Sequence, residues 1–228
     1  MEAKIGFSFC IITDNSDTAC RRIIKMVESI RTQNIEEHEI LVIGGAGNKF
    51  SGDIEGLKKI DFDESIKSGW ITKKKNDIAK IAKYENLVIM HDYYVLHREW
   101  YSGFKKIAIR FEGCDLCLNP VCLMDGRRDY TDWVTYDHPI YGMHGSLNYH
   151  DESNIKNQYF SGGYFVVKKA FFLKNSLNEN LVANQQEDVE WSLRIRETAN
   201  IIFNPYSYVK HNKSHRNQTI DFWEKMVL

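Results

Sequence analysis

Short apolar runs along the first half of the chain alternate with amphipathic stretches. Residues 5–12 are apolar, rich in β-branched and aromatic side chains and too few for an ordinary helix, so they predict a buried strand. Apolar residues then follow helical spacing from Ile23 to Ile30, which predicts a helix to about Gln33. Residues 39–43 predict a second strand. A strand, a helix and a strand with short connections are typical of a parallel βαβ unit.

The same alternation continues along the rest of the chain. Further helices are predicted at residues 74–84, 100–110 and 187–198, and further strands at residues 87–90, 115–124, 164–167 and 201–209. Residues 125–157 are polar with little periodicity, and a loop of that length is usually functional or mobile. Since the chain has no internal repeat or clear linker, we expect one α/β domain over residues 1–228, with a mostly parallel central sheet flanked by helices.

Composition and charge narrow the class of protein. A chain of 228 residues with 43% hydrophobic residues can bury a core, which argues against disorder. The net charge of −1 argues against a dedicated nucleic-acid binder, which usually carries a basic excess. No signal-peptide pattern and no apolar run of about 20 residues is present, so we expect a cytoplasmic protein without a transmembrane segment. Peripheral membrane association through a partner stays open.

Three of the five cysteines cluster at Cys114, Cys117 and Cys122. The Cys114-x-x-Cys117 spacing is compatible with a zinc or redox site, but no second pair of ligands accompanies it. The surrounding apolar run favours buried free thiols, because cysteine in a core behaves as a small hydrophobic residue.

Polar clusters follow several of the predicted strands. They are Thr13-Asp14, Gly44-Gly45, His91-Asp92 and the region from Gly162 to Asp188. Open α/β sheets bind ligands beyond the carboxyl ends of their strands. We therefore expect these clusters to converge on one pocket.

The order of five segments resembles the family 2 glycosyltransferases. The segments are FCIITDN at residues 9–15, VESIRTQ at 27–33 with EILVIGG at 39–45, KNDIA at 75–79, ENLVIMHD at 85–92 and QEDVEWSLR at 186–194. The resemblance implies a GT-A-like, Rossmann-related fold and transfer of a sugar from a nucleotide-diphosphate donor to a hydroxyl of a glycan, glycolipid or glycoprotein, with inversion. It also implies that residues 1–124 bind the nucleotide sugar and residues 125–228 bind the acceptor and carry catalysis.

Departure of a nucleoside diphosphate develops negative charge, which a divalent cation or a positioned lysine or arginine must stabilise. Oxygen and imidazole ligands suit Mn²⁺ or Mg²⁺, so Asp92 and His211 form a candidate metal pair. The resemblance implies the same roles for these two residues. However, the family's DxD element is reduced here to His91-Asp92-Tyr93-Tyr94. Either His91 replaces a ligand, or the metal is weakly bound or absent.

Other candidate residues divide between catalysis and donor binding. Asp188 is the candidate general base, with Glu187 beside it to hold hydroxyl groups, although two acids at a helix start also suit the helix dipole alone. Residues expected to contact the donor are Thr13, Asp14, Gly44, Gly45, Lys75, Asn76, His91, Asp92, Gly162 and Gly163, with the last two glycines letting backbone approach the sugar.

Two rival functions remain at this point. The first is a catalytically inactive sugar- or partner-binding module of the same fold, which the degenerate DxD element favours. The second is a sugar nucleotidyltransferase, although residues 13–18 lack the glycine-rich phosphate loop with arginine that such enzymes need.

Overall fold

The computed structural model describes residues 4–14, 16–44, 54–145 and 147–212. Its strands are β1 (Phe7–Ile12), β2 (His38–Ile43), β3 (Leu57–Ile60), β4 (Asn86–His91), β5 (Tyr94–Leu96), β6 (Leu116–Leu118), β7 (Val121–Leu123), β8 (Thr135–His138), β9 (Gly142–His144), β10 (Tyr164–Lys168), β11 (Ile201–Phe203) and β12 (Val209–His211). Its helices are α1 (Asp17–Arg31), α2 (Ile71–Ile81), α3 (Trp100–Lys106), α4 (Ala108–Glu112), α5 (Lys169–Lys174) and α6 (Glu187–Ile195), with a 3₁₀ helix at Glu152–Asn157.

The central sheet has seven strands among the described residues, in the order β11-β6-β10-β4-β1-β2-β3. Strand β1 pairs in parallel with β2 and β4, β2 with β3, and β6 with β11. Strand β10 runs antiparallel between β4 and β6. The predicted α/β fold with a mostly parallel central sheet is confirmed.

Burial of both sheet faces explains the apolar runs. All six residues of β1 are buried. Phe7, Phe9 and Ile11 pack in a cluster with α1, α3 and α4, while Cys10 and Ile12 pack on the other face with α2, α5 and α6. Successive strand residues point to opposite faces, so a strand covered on both sides must be apolar throughout.

Two predicted strands are each divided into two strands of different sheets. The prediction at 115–124 becomes β6 and β7, and the prediction at 201–209 becomes β11 and β12. Strands β7 and β12 form a three-stranded sheet with β5. The breaks fall at Asn119-Pro120 and near Pro205, because proline fixes φ and has no N–H for a sheet hydrogen bond.

Several other boundaries differ from the predictions. The helix predicted at 100–110 is two short helices, α3 and α4, and the polar stretch 125–157 contains the β8–β9 hairpin and the 3₁₀ helix. All five cysteines are free, with Cys114 and Cys117 buried and Cys122 half-buried. None of the helices in the described part of the chain has the length and apolar character needed to span a membrane.

Candidate active site

The carboxyl ends of β1 and β4, the turn before β10 and the start of α6 surround a cleft of about 1050 Å³. Predicted site residues that line it are Thr13, Asp14, His91, Asp92, Gly162, Gly163, Glu187, Asp188 and His211. The described lining does not include Lys75, Asn76 or Gly44. Gly45 lies outside the part of the chain that the structure describes. Strand ends that are far apart in sequence therefore converge on one cavity.

Parallel pairing of β1 with β4 brings Thr13 and Asp92 together. Ile12 is in register with His91, so the residues that follow leave the sheet side by side. The Asp92 backbone N–H donates to the Ile12 carbonyl at 3.2 Å, and Thr13 Oγ1 donates to Asp92 Oδ2 at 2.8 Å.

Asp92 also forms an ion pair that the sequence did not predict. Arg22 of α1 donates to Asp92 Oδ1 through Nη2 at 2.8 Å and Nε at 3.2 Å. Asp92 is 4% exposed. Burial raises the pKa of this carboxyl above its ordinary value, although the hydrogen bonds from Arg22 and Thr13 act in the opposite direction. Both oxygens of Asp92 are thus occupied by protein donors.

The two acids at the start of α6 meet the backbone of Gly162. The Gly162 N–H donates to Asp188 Oδ2 at 2.8 Å, and the Val189 N–H donates to Asp188 Oδ1 at 2.9 Å. A Cβ added at Gly162 would lie 2.6 Å from Glu187 Oε1 and 3.2 Å from Asp188 Oδ2. Any residue with a side chain at position 162 would therefore collide with these carboxylates unless they moved.

A turn of unusual backbone conformation leads into α6. Asn184 and Gln186 both have positive φ, at 66° and 56°, and both line the cleft. Non-glycine residues rarely adopt this region, and such conformations cluster at functional sites. The turn fixes the direction in which α6 begins, and so the direction of Glu187 and Asp188.

Lys75 and Asn76, which were expected to contact the donor, do not line the cleft. Lys75 is fully buried, and its Nζ contacts Glu187 Oε1 at 3.2 Å behind the cleft. Asn76 makes paired hydrogen bonds with the backbone of Leu177, at 2.9 and 3.0 Å, which tie α2 to the segment after α5. Both side chains position other parts of the fold.

Lys74 is the lysine of α2 that lines the cleft. Its Nζ donates to the Thr13 carbonyl at 3.0 Å and forms an ion pair with Glu64. Consecutive helical residues point in directions about 100° apart, since the α-helix has about 3.6 residues per turn. Neighbouring lysines of the run Lys73-Lys74-Lys75 therefore face different surroundings, with Lys74 at the cleft and Lys75 in the core.

Gly44 supports β1 from beside the cleft. Its φ is +149°, and a Cβ there would lie 2.0 Å from the Thr13 carbonyl oxygen. The position therefore excludes a side chain because of the backbone of Thr13. This close approach gives Gly44 a packing role, and its donor contact stays a prediction.

His211 ends β12, where it pairs with Tyr94 of β5 and Leu123 of β7. Its Nδ1 lies 2.9 Å from Asp129 Oδ2, and both side chains are buried. The rings of Tyr93 and Tyr94 pack against the imidazole at centroid distances of 4.9 and 5.2 Å. Its Nε2 has no hydrogen-bond partner among the described residues. The sequence did not predict the pairing with Asp129.

The sequence matches no protein-family model and no curated protein. Solved structures do resemble the chain. The S. aureus TarS 1–349 complex with UDP has a TM-score of 0.61 at 16% identity over 90% of this chain, and GalNAc-T7 with UDP, GalNAc and Mn²⁺ has a TM-score of 0.60 at 16% identity over 92%. TarS and GalNAc-T7 are glycosyltransferases of the GT-A fold.

The chain has the GT-A fold.

The likeness covers only part of each GT-A protein. The chain spans 60% of the TarS 1–349 structure and 44% of the GalNAc-T7 structure. Identities of 16% show the fold alone.

The Mn²⁺ in the GalNAc-T7 structure raises the question of whether this GT-A cleft suits a cation. No group of three or more His, Cys, Asp or Glu residues suited to a metal occurs within residues 4–14, 16–44, 54–145 and 147–212. Arg22 and Thr13 hydrogen-bond to the two oxygens of Asp92, which leaves this carboxylate fewer lone pairs for the predicted ligand role. His211 meets one requirement of a ligand, because its Nε2 lacks a partner among the described residues and its Nδ1 lies beside a carboxylate, but one imidazole alone does not make a metal site.

The charge of the lining also favours a cation. Among the residues that the structure describes, the lining has five carboxylates and two basic side chains: Asp14, Glu64, Asp92, Glu187, Asp188, Arg22 and Lys74. A diphosphate entering such a site would be repelled unless positive charge entered with it. An anion would therefore enter this cleft more readily together with a cation than alone.

Proposed function

We propose that this chain is a glycosyltransferase that moves a sugar from a nucleotide-diphosphate donor to a hydroxyl of a glycan, glycolipid or glycoprotein, with inversion at the anomeric carbon. The observation that carries the proposal is the convergence of Asp188, Asp92 and His211 on one cleft at the strand ends. The GT-A fold, shared with a TarS structure that contains UDP, supports a nucleotide-sugar donor.

Asp188 is the proposed general base. The hydroxyl of the acceptor attacks the anomeric carbon from the side opposite the diphosphate, and its proton passes to the Asp188 carboxylate. The bond from carbon to the diphosphate oxygen breaks, and the leaving group keeps the electron pair. Hydrogen bonds from the Gly162 and Val189 backbones hold Asp188 in one orientation, which is what an in-line attack requires.

The proposed donor site lies in residues 1–124, and residues 125–228 complete it with the acceptor site. Thr13 and Asp14 face the nucleoside, while Arg22 and Lys74 supply positive charge from α1 and α2. His211 would hold Mn²⁺ or Mg²⁺, which when bound offsets the negative charge that develops on the leaving diphosphate. Glu187, fixed by Lys75, accepts hydrogen bonds from hydroxyl groups beside the base.

The direct test is Asp188→Asn, assayed by release of UDP, GDP or dTDP from sugar donors with and without a panel of acceptors. Because a general base typically contributes about 10²–10⁴-fold, we expect turnover to fall by that factor. Affinity for the nucleoside diphosphate should change little. The matched control is Glu190→Gln, since Glu190 lies on the same helix but pairs with Arg194 instead of lining the cleft. Normal turnover in Asp188→Asn would refute the assignment of the base.

One observation favours a second function. The Asp92 carboxylate already accepts hydrogen bonds from Arg22 and Thr13, as expected if it holds the cleft in shape and does not bind a catalytic cation. Under this alternative the protein is a sugar- or partner-binding module of the GT-A fold. Saturable binding of UDP, GDP or dTDP, with no release from any sugar donor by the unmodified protein, would decide for the module.

A further inference from the structure

Three buried side chains around one small cavity carry polar atoms without a partner. Among the described residues, these atoms are Asn119 Nδ2, Trp133 Nε1 and both amide atoms of Gln158. Asn119, Trp133 and Gln158 are 6%, 5% and 2% exposed, and all three line a cavity of about 20 Å³, here called the side pocket. Buried polar atoms nearly always have a hydrogen-bond partner, so four such atoms around one cavity indicate that a polar group enters it.

The side pocket adjoins the cleft and is partly open. Thr131, Tyr159 and Ser161 line both the side pocket and the cleft. Ser161 directly precedes Gly162, whose N–H holds the proposed base Asp188. About 10–15 Å³ is enough for one water molecule, so the side pocket has room for a small substituent and not for a sugar ring.

A chain of hydrogen bonds fixes the orientation of the Asn119 amide. Trp100 Nε1 donates to the Tyr164 hydroxyl at 2.8 Å, and the Tyr164 hydroxyl donates to Asn119 Oδ1 at 3.2 Å. An indole N–H can only donate, so the Tyr164 oxygen accepts from Trp100 and its own proton goes to Asn119. The amide of Asn119 therefore keeps Nδ2 as a donor that lacks a partner among the described residues.

The backbone of Trp133 gives a second, independent sign of a binding site. Its φ is 54°, in the left-handed region that bulky residues rarely adopt. The indole packs on Phe203 at a centroid distance of 4.1 Å. Strained backbone persists only where the surrounding structure enforces it, and it clusters at functional sites. The fold thus holds an unpartnered indole N–H at the side pocket in spite of an unfavourable backbone conformation.

The chemistry of the lining selects a neutral group that both donates and accepts. None of the described residues of the side pocket is acidic or basic, so an ionised phosphate or carboxylate would be buried there without a counter-charge. The unpartnered atoms are three nitrogens that carry hydrogen and one carbonyl oxygen, Gln158 Oε1. A hydroxyl donates one hydrogen bond and accepts two, so it can satisfy the oxygen and two of the nitrogens.

We propose that the side pocket binds one hydroxyl group of the donor sugar and thereby selects the sugar by the position and configuration of that hydroxyl. The inference rests on the proposed function, which makes the ligand of the cleft a nucleotide sugar. The transferred sugar must lie within reach of both Asp188 and the leaving diphosphate, which places it beside the turn at residues 161–163 where the side pocket meets the cleft.

Gln158→Met is the central test, because methionine has a similar length and lacks the amide. The assay is calorimetric binding of UDP-, GDP- and dTDP-hexoses, each compared with its epimers and with analogues that lack a single hydroxyl. In the unmodified protein, we expect loss or inversion of one hydroxyl to weaken binding about 10–100-fold, since buried polar groups are then left unpaired. In Gln158→Met we expect that factor to fall below about threefold, with unchanged affinity for the free nucleoside diphosphate.

The matched control is Gln33→Met, the same substitution at a buried glutamine outside the cleft lining. Gln33 Nε2 donates to the carbonyls of Ser29 and His97 at 3.1 and 3.0 Å, and Oε1 accepts the Tyr101 N–H at 3.1 Å. We expect Gln33→Met to lower Tm and to leave sugar discrimination unchanged. Gln158→Met breaks no side-chain hydrogen bond to a described residue, so its Tm should stay the same or rise.

The outcomes separate this inference from the proposed function. Discrimination that persists in Gln158→Met overturns the hydroxyl site, and if Tm also falls as far as in Gln33→Met, the side pocket holds structural water instead. Discrimination without release of any nucleoside diphosphate overturns glycosyl transfer and leaves the hydroxyl site standing. Failure to bind every nucleotide sugar overturns both. Should Gln158→Met not fold, Trp133→Phe, which removes one N–H of the side pocket, takes its place with the same expected loss of discrimination.

Discussion

The substitution Gly162→Ala tests whether the placement of the α6 acids controls transfer. Gly162 is not one of the glycines with a positive φ, so alanine can adopt its backbone conformation. The perturbation is therefore the added methyl group alone. That methyl carbon would lie 2.6 Å from Glu187 Oε1 and 3.2 Å from the Asp188 Cβ.

The size of the required movement follows from these distances. An ordinary contact begins at about 3.4 Å, so the Glu187 oxygen must retreat by about 0.8 Å from its 2.6 Å position. Retreat is opposed by Lys75, whose buried Nζ holds the same oxygen at 3.2 Å. Gly162 also donates to Asp188 Oδ2, so the strain reaches the proposed base. A displacement approaching 1 Å at a reacting group costs about 10²-fold in rate.

We therefore expect Gly162→Ala to lose about 10²-fold in turnover and about 1–3 kcal/mol in the free energy of unfolding, the usual cost of overpacking. The assay is nucleoside diphosphate release at saturating donor, with thermal unfolding measured in parallel. The control is Gly113→Ala, because a Cβ at Gly113 meets nothing within 4 Å. Wild-type turnover in Gly162→Ala would refute the reasoning that these two acids must be held against a bare backbone.

Two further substitutions probe the ion pairs of the cleft. Arg22→Gln leaves buried Asp92 without its cation. Because the pKa of Asp92 in the folded protein is already raised, ionising this carboxyl costs stability as the pH rises. We therefore expect a larger loss of Tm at pH 7.5 than at pH 5. Lys75→Met leaves Glu187 unpaired and should cost about 3 kcal/mol in chemical denaturation. The double variant Lys75→Met with Glu187→Gln should lose less than the sum of the single losses, and strict additivity would contradict direct coupling.

The central strands could be predicted from the sequence because burial on both faces leaves a continuous apolar run. Strands β1, β2 and β4 lie in the middle of the sheet and match their predictions within two residues at each end. The convergence of several predicted residues on one cleft also followed, because the carboxyl ends of neighbouring parallel strands meet at one edge.

The small sheet could not be predicted in the same way. Strands β7 and β12 have three residues each, and in sequence they continue the apolar character of β6 and β11. Periodicity cannot assign three residues to one sheet or another. Pro120 and Pro205 were the signals available, since a proline within an apolar run argues against an uninterrupted central strand.

The partners of the site residues were hidden for a different reason. Arg22 lies 70 positions from Asp92, and Asp129 lies 82 positions from His211. Such pairs depend on how elements pack, which one sequence does not reveal. The prediction that Lys75 contacts the donor missed a local feature: neighbouring residues of a helix point about 100° apart, so Lys74 faces the cleft while Lys75 faces the core.

The partners of the cleft acids provide an independent argument for the base. Among the five described acids of the lining, Glu64, Asp92 and Glu187 are each bound to a lysine or an arginine. A carboxylate that takes a proton from an acceptor must give up any ion pair that it holds, so these three are poorly suited to the task. Asp14 is exposed at the end of β1 and accepts the Ser16 N–H, on the side proposed for the nucleoside. Asp188 is held by two backbone N–H groups and remains half-buried at the cleft wall. The fold thus orients this carboxylate firmly without a cation, which is the arrangement that a general base requires.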